Sequence, residues 1–278
     1  MSKHLLIDGR NILYRAVYAH HSERNHEVKY HCLVIYLRQI VNWINQFNPT
    51  AVSVFWDAPR ITVWRKRLLT TYKNRASSQY VLNLGELLAE NGAIVKEALS
   101  ILNVRQYERP QMEADDLIYA ASCVLHPKST IIVSTDSDLI QIPYMISTAS
   151  VYDPQKARIV NVPKHHPAYV KALSGDKADS IDGYKGIGPK KCDALLDSHE
   201  KLQVFLEDRG RETYHRNLLL TDLSLNPRLH VNKLYVQRVL GTSVCYDKDK
   251  MTELIRKYKI VGMDSQYANL VHPFIRLT

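Results

Sequence analysis

Between Glu113 and Asp138 the chain places five carboxylates in 26 residues, with no Lys or Arg among them except Lys128. The first three belong to Gln111-Met112-Glu113-Ala114-Asp115-Asp116, which opens an apolar helix from Leu117 to Leu125. A helix N-terminus favours negative charge, and Glu113 and Asp116, three apart, can share a face. The last two belong to Ser134-Thr135-Asp136-Ser137-Asp138, directly after Ile131-Ile132-Val133. Such a run of β-branched residues reads as a buried strand, so Asp136 and Asp138 lie just past a strand end. Two like charges about 5 Å apart cost roughly 3 kcal/mol at an effective dielectric near 20. Side chains that converge under that penalty usually do so around cations, and carboxylate-only sets suit hard divalent ions such as Mg²⁺ or Mn²⁺. Each half alone also fits a capped helix or a polar loop.

The rest of the chain adds acids of the same kind. His4-Leu5-Leu6-Ile7 is a short apolar strand that runs into Asp8-Gly9-Arg10-Asn11, and Ala51 to Phe55 is a second that runs toward Asp57. Between them residues 30 to 48 have helical spacing and stop at Asn48-Pro49. Strand, helix and strand imply a parallel pair with a right-handed crossover. Three strands that each end in an aspartate place those acids at the carboxyl edge of a parallel sheet, where α/β folds bind ligands. Further on, Gly175-Asp176 and Asp179 add two acids three apart.

Positive charge is segregated from these acids. The chain of 278 residues has a formal net charge of +9, which suits a polyanionic partner around an acidic pocket. Ala58 to Gly85 holds no acid but carries Arg60, Arg65, Lys66, Arg67, Lys73 and Arg75, with Trp64, Tyr72 and Tyr80 interleaved. Cations track a nucleic-acid backbone while rings stack on bases, so Arg65, Lys66 and Arg67 are candidate DNA contacts. A second basic motif is Lys185-Gly186-Ile187-Gly188-Pro189-Lys190-Lys191, which leads into a helix through Ala194. Helix, G-x-G hairpin and lysine-started helix form a helix-hairpin-helix pattern. Its glycines and helix amides can approach a phosphate, making Lys185, Gly186, Gly188, Lys190 and Lys191 candidate DNA contacts. Residues 81 to 102 read as a helix broken near Asn91-Gly92, Val104 to Tyr107 as a strand, and 151 to 160 as a hairpin. The basic stretch from Arg228 to Arg238 fits either a duplex contact or plain surface, the latter somewhat better.

Other classes are disfavoured. Cys32, Cys123, Cys192 and Cys245 form no C-x-x-C pair, which argues against structural zinc or a disulfide framework. The N-terminus runs straight into a strand, and no apolar run approaches the roughly 20 residues of a membrane span. A cytoplasmic protein without membrane contact is expected.

As a set, these motifs resemble the 5′-nuclease superfamily of flap endonucleases and 5′→3′ exonucleases, the stand-alone bacteriophage type being the most similar in length. The resemblance covers roughly residues 4 to 225. It rests on Ile7-Asp8-Gly9 with Asn11, Asp57, Tyr72-Lys73-Asn74-Arg75, Glu113-Ala114-Asp115-Asp116, Ser134 to Asp138, Gly175-Asp176 with Asp179, and Lys185 to Lys190. It implies one metal around Asp8, Asp57, Glu113, Asp115, Asp116 and Asp136, and a second around Asp138, Asp176 and Asp179 with Asp136 between, some acting through water. The ions implied are two Mg²⁺, with Mn²⁺ able to substitute. In some relatives a K⁺ ion sits at the helix-hairpin-helix. Lys73 and Arg75 would stand as catalytic residues at the base of a helical arch over a single-stranded 5′ end, with Tyr72 stacking on a base. Two departures stand out. The family usually has one more residue between the arch Lys and Arg, and Asp179-Ser180 stands where Asp-Asn is usual.

The expectation is an α/β fold with a mostly parallel central sheet flanked by helices, an arch and a helix-hairpin-helix. Residues 1–162 would form the nuclease core with the arch at about 58–85. Residues 163–278 would be mainly helical and hold the helix-hairpin-helix at about 174–200. The resemblance implies a Mg²⁺-dependent monomer that cuts 5′ flaps, 5′ ends and RNA–DNA primer junctions during replication, in the host cytoplasm if phage-encoded, alongside replication proteins. The rival readings are a PIN-type ribonuclease and a DNA-binding protein that has kept the fold without chemistry.

Overall fold

The computed structural model describes residues 3–22, 31–59, 62–74, 79–260 and 263–277. Its frame is a six-stranded sheet made of β1 (Lys3–Asp8), β2 (Ala51–Trp56), β3 (Arg105–Glu108), β4 (Ser129–Val133), β5 (Ala149–Asp153) and β6 (Arg158–Ile159). The strand order is β3-β2-β1-β4-β5-β6. The first five are mutually parallel and β6 pairs antiparallel with β5. The order reverses at β1, which makes the β1/β4 boundary the switch point.

The sheet is buried on both faces because its residues alternate between two apolar layers. Leu5, Ile7, Val54 and Val133 face a core built with α1 (Gly9–Ser22), α2 (His31–Phe47) and α3 (Gln79–Ile101). Leu6, Phe55 and Ile132 face the other core, built with α4 (Ala114–Leu125) and the segment around Trp64 and Tyr72. The expected break in α3 does not occur: the helix runs through Asn91-Gly92. The Asn91 amide is satisfied locally by the Leu87 carbonyl, and a Cβ on Gly92 would lie 3.1 Å from Leu13. Glycine there serves close packing of α3 on α1 rather than a break.

Past α5 (Gln141–Met145) the chain turns helical: α6 (Pro167–Ser174), α7 (Pro189–Leu196), α8 (His199–Arg209) and α9 (Arg211–Thr221), followed by α10 (Leu229–Leu240), α11 (Lys248–Tyr258) and α12 (Met263–Ile275). Leu173, Tyr184, Cys192, Leu206 and Tyr214 form a third apolar cluster among α6 to α9. α10 packs back on α4, α11 on α3 and α12 on α2. Between α6 and α7 the chain makes a small antiparallel ladder of β7 (Gly175–Asp176) and β8 (Ile181–Asp182). The helix before the glycine hairpin is therefore α6, ahead of residue 175. A Cβ on Gly183 would lie 2.1 Å from the Ser174 carbonyl carbon, and Gly175 has φ +78. Side chains would not fit there, and this close crossing is what turns Asp176 and Asp179 back toward the main sheet. Among the described residues no helix is long and apolar enough to cross a membrane.

Candidate active site

The carboxyl ends of β1, β2 and β4 open onto a cavity of about 530 Å³ lined by Asp57, Glu113, Asp136, Asp138, Asp176 and Asp179, together with Lys73 and Lys171. Asp8 lies beside the cavity at the end of β1. Its carboxylate accepts from the Asn11 amide at 3.1 Å and the Ser134 hydroxyl at 2.9 Å. Ser134 in turn accepts from the Asp136 amide, and Asp136 accepts from the Asp138 amide. Asn11 also exchanges hydrogen bonds with Thr135. The turn after β4 is thus keyed to the turn after β1. Asp57 accepts from the Ala114 amide at 2.8 Å, which ties β2 to the start of α4.

The electrostatics divide these acids into two kinds. Burial, followed by the nearby Asp57, pushes Asp8 up to about 7. Asp115 is raised well above the carboxylate range by burial, then by Asp136 and Asp8. Asp57 and Asp136 are raised by burial and then by Glu113 and Asp138 respectively. Among the described residues no donor reaches the Asp115 carboxylate. Glu113 and Asp116 differ. Glu113 caps α4, and each side chain accepts from the other's backbone in a capping box. The Arg65 guanidinium grips both, 2.7 Å from Glu113 and 2.8 Å from Asp116. Burial alone would raise Glu113, but Arg65 and Lys73 hold it below its ordinary value.

This geometry corrects three expectations. Arg65 is not a DNA contact: it is 3% exposed, and its remaining donor goes to the Leu220 carbonyl. Asp116 is not a free metal ligand, because its oxygens are taken by Arg65, the Trp64 indole and the Glu113 amide. Tyr72 does not offer its ring for stacking: it is 3% exposed, and its hydroxyl donates between Glu113 and Asp179 at 3.1 Å each. Basic and aromatic residues in a segment without acids look solvent-facing from sequence. Here they are drawn inward by carboxylates that lie far along the chain.

Lys73 does reach the site. Its ammonium donates to Glu113 at 2.5 Å, lies 3.8 Å from Asp179, and is held above its ordinary value by these acids despite burial. Its backbone amide donates to the Asp179 carbonyl at φ +51, a strained conformation of the sort found at functional sites. Lys66 is half-buried and Arg67 exposed. Arg75 lies outside the described residues. The arch expectation therefore rests in part on undescribed positions, and its described base, residues 62–74, is docked on the acids. Lys185, Gly186, Lys190 and Lys191 are exposed. Gly186 has φ +81, and Gly188 caps α7.

Sequence reasoning missed Lys171 and Gln141. The Lys171 ammonium donates to Asp138 and, at 2.6 Å, to Asp176. The buried Gln141 amide donates to the Asp138 and Thr221 carbonyls and accepts from Leu223, joining the second acid group to α9. Neither sits in a motif, and their partners are distant in sequence. A clue to Lys171 was its position five residues before Asp176.

The donor set fits hard divalent ions. It is all carboxylate, and oxygens of Asp138, Asp176 and Asp179 lie within 4.8 Å of one another. Residues 3–171 match the family model described as 5′-3′ exonuclease, N-terminal resolvase-like domain. The chain is 27% identical over 246 residues to a 5′-3′ exonuclease of Halalkalibacterium halodurans, covering 80% of each chain. It is 29% identical over 219 residues to the flap endonuclease Xni of Shewanella amazonensis, covering 76% of this chain and 83% of that one. In fold it is similar to the bacteriophage T5 5′-exonuclease bound to zinc, with TM-score 0.63, 18% identity, and 93% and 99% of the two chains covered. A flap endonuclease of the same phage, in a complex with DNA and metal ions, gives TM-score 0.63 at 17% identity over 92% and 98%. With its resolvase-like domain at residues 3–171, the chain belongs to the 5′-3′ exonuclease family of nucleases.

Proposed function

We propose that the protein is a Mg²⁺-dependent, structure-specific 5′-nuclease that hydrolyses phosphodiesters at 5′ flaps, 5′ ends and RNA primers. The observation that carries this reading is the convergence of Asp8, Asp57 and Asp136 at the ends of β1, β2 and β4 with Asp115 of the first turn of α4, each raised by burial and by its acidic neighbours. Such repulsion disfavours a fold unless a cation relieves it. Asp8, Asp57, Asp115 and Asp136 would hold one ion, and Asp138, Asp176 and Asp179 a second, with Asp136 between. Glu113, already gripped by Arg65 and Lys73, would act through water. Two such ions supply an activated water and stabilise the leaving oxygen of an in-line displacement.

The protein's own groups do the rest. Lys73, at the cavity wall, offsets charge that builds on the phosphoryl oxygens in the transition state. Tyr72 holds Glu113 and Asp179 at a fixed spacing. The exposed Lys185, Lys190 and Lys191, with the amides of Gly186 and Gly188, would grip duplex phosphates and could enclose a K⁺ ion. These are backbone contacts and carry no sequence information. A 5′-labelled flap substrate tests the reading. Mg²⁺ should release a short labelled fragment ending in a 3′ hydroxyl and leave a 5′ phosphate on the cut strand, and EDTA should abolish both. Equal cleavage in EDTA would refute the metal reading.

A further inference from the structure

Lys171 occupies ground that a divalent ion would also claim. It lies on α6, five residues before Asp176 and far in sequence from Asp138. Its ammonium touches both carboxylates, 2.6 Å from Asp176, and its side chain is 22% exposed. Asp179, the third acid of this group, lies within 4.8 Å of the other two. An ion held by oxygens at about 2.0–2.6 Å would therefore sit against the Lys171 nitrogen. Two cations at that separation repel strongly, so ammonium and ion exclude each other.

Resting on the two-ion reading above, we propose that Lys171 is a resident counter-ion of the second acid group, which the second divalent ion must displace. While the ion is absent, Lys171 keeps Asp138 and Asp176 converged. The second ion consequently binds more weakly than the first: among the described residues no ammonium is bonded to Asp8, Asp115 or Asp136, and Arg10 stands 4.0 Å from Asp57. Once displaced, the Lys171 side chain has the open cavity before it, which it already lines.

Isothermal titration with Mn²⁺ in the absence of DNA tests this. Wild-type protein should bind two ions with unequal affinity. In Lys171→Met the second ion should bind about tenfold tighter or more, a modest part of a contact at this distance. Lys171→Arg keeps the charge and should stay weak. A second-ion affinity that is unchanged or weaker in Lys171→Met overturns the proposal. Acylation of surface lysines, read by mass spectrometry on wild-type protein, needs no variant. Lys171 labelling should rise several-fold once Mn²⁺ fills the second site, and no rise contradicts displacement. Failure of wild-type protein to bind a second ion would instead overturn the two-ion reading itself.

Discussion

Asp115 and Asp116 are neighbours in the chain and opposites in the fold. Asp116 turns under α4, where Arg65 and Trp64 consume its oxygens. Asp115 turns toward Asp8 and Asp136, where further negative charge raises it. The same contrast separates Glu113 from Asp8. One half of the acid edge is paired and helps to fold the protein; the other is held in mutual repulsion. Residue type does not distinguish the two halves. The position of Arg65 does.

The largest effect should follow from breaking the paired half. Arg65→Met leaves Asp116 buried without its counter-ion and Glu113 with Lys73 alone, which costs on the order of 3–5 kcal/mol. Denaturant unfolding should show that loss, and a shift under about 1 kcal/mol would mean that the pair is better solvated than its burial indicates. Next comes Lys73, which touches Glu113 but is placed to act on the substrate. Lys73→Ala should lower single-turnover cleavage in Mg²⁺ by on the order of a hundredfold, yet leave flap affinity in Ca²⁺ nearly unchanged. Lys66→Ala, half-buried and away from the acids, should have little effect on either. Equal rate losses in the two variants would reduce the segment to a diffuse basic surface.

The unpaired half has its own pH signature. The Asp8 carboxyl has an ordinary value of 3.8 and is pushed up to about 7 in the fold. A raised folded value means that its contribution to stability is present below 3.8 and lost as pH rises through about 7. Metal-free protein should therefore lose stability from this group across that window, and Asp8→Asn should flatten that part of the profile. Thermal melts in EDTA measure the difference. A variant profile parallel to wild type would show that Asp8 is not strained. Smallest is the effect at Ser180, which stands at φ 58, where a non-glycine residue costs roughly 1 kcal/mol. Ser180→Gly should recover about that much, less what the freer unfolded chain takes back. Asn, common in that region, should also be tolerated, which gives a backbone reason for the Asp-Asn pair usual in the family.

The sheet and its acids were legible because each signal was local: a β-branched run, then an aspartate. The helix-start acids were legible for the same reason. The division of labour among them was not, since it depends on Arg65, 48 residues before Glu113. Nothing in Trp64-Arg65-Lys66-Arg67 marks the one arginine that turns inward. Tyr72 was misjudged similarly, its hydroxyl being claimed by acids 41 and 107 residues away. Lys171 sits in a helix of ordinary composition, and its contact with Asp138 arises where α6 packs beside the turn after β4. Contacts set by tertiary closure leave no periodic trace in the chain.

Paired substitutions at Asp115 and Asp116 test the central claim most directly, read by flap cleavage in Mg²⁺ and by melting in EDTA. Asp115→Asn should abolish cleavage while leaving the metal-free protein as stable as wild type or more so, because it removes repulsion. Asp116→Asn should lower the melting temperature, because it weakens the Arg65 pair. Cleavage that survives in Asp115→Asn, together with a lowered melting temperature, would contradict the assignment of this edge to metal-dependent chemistry.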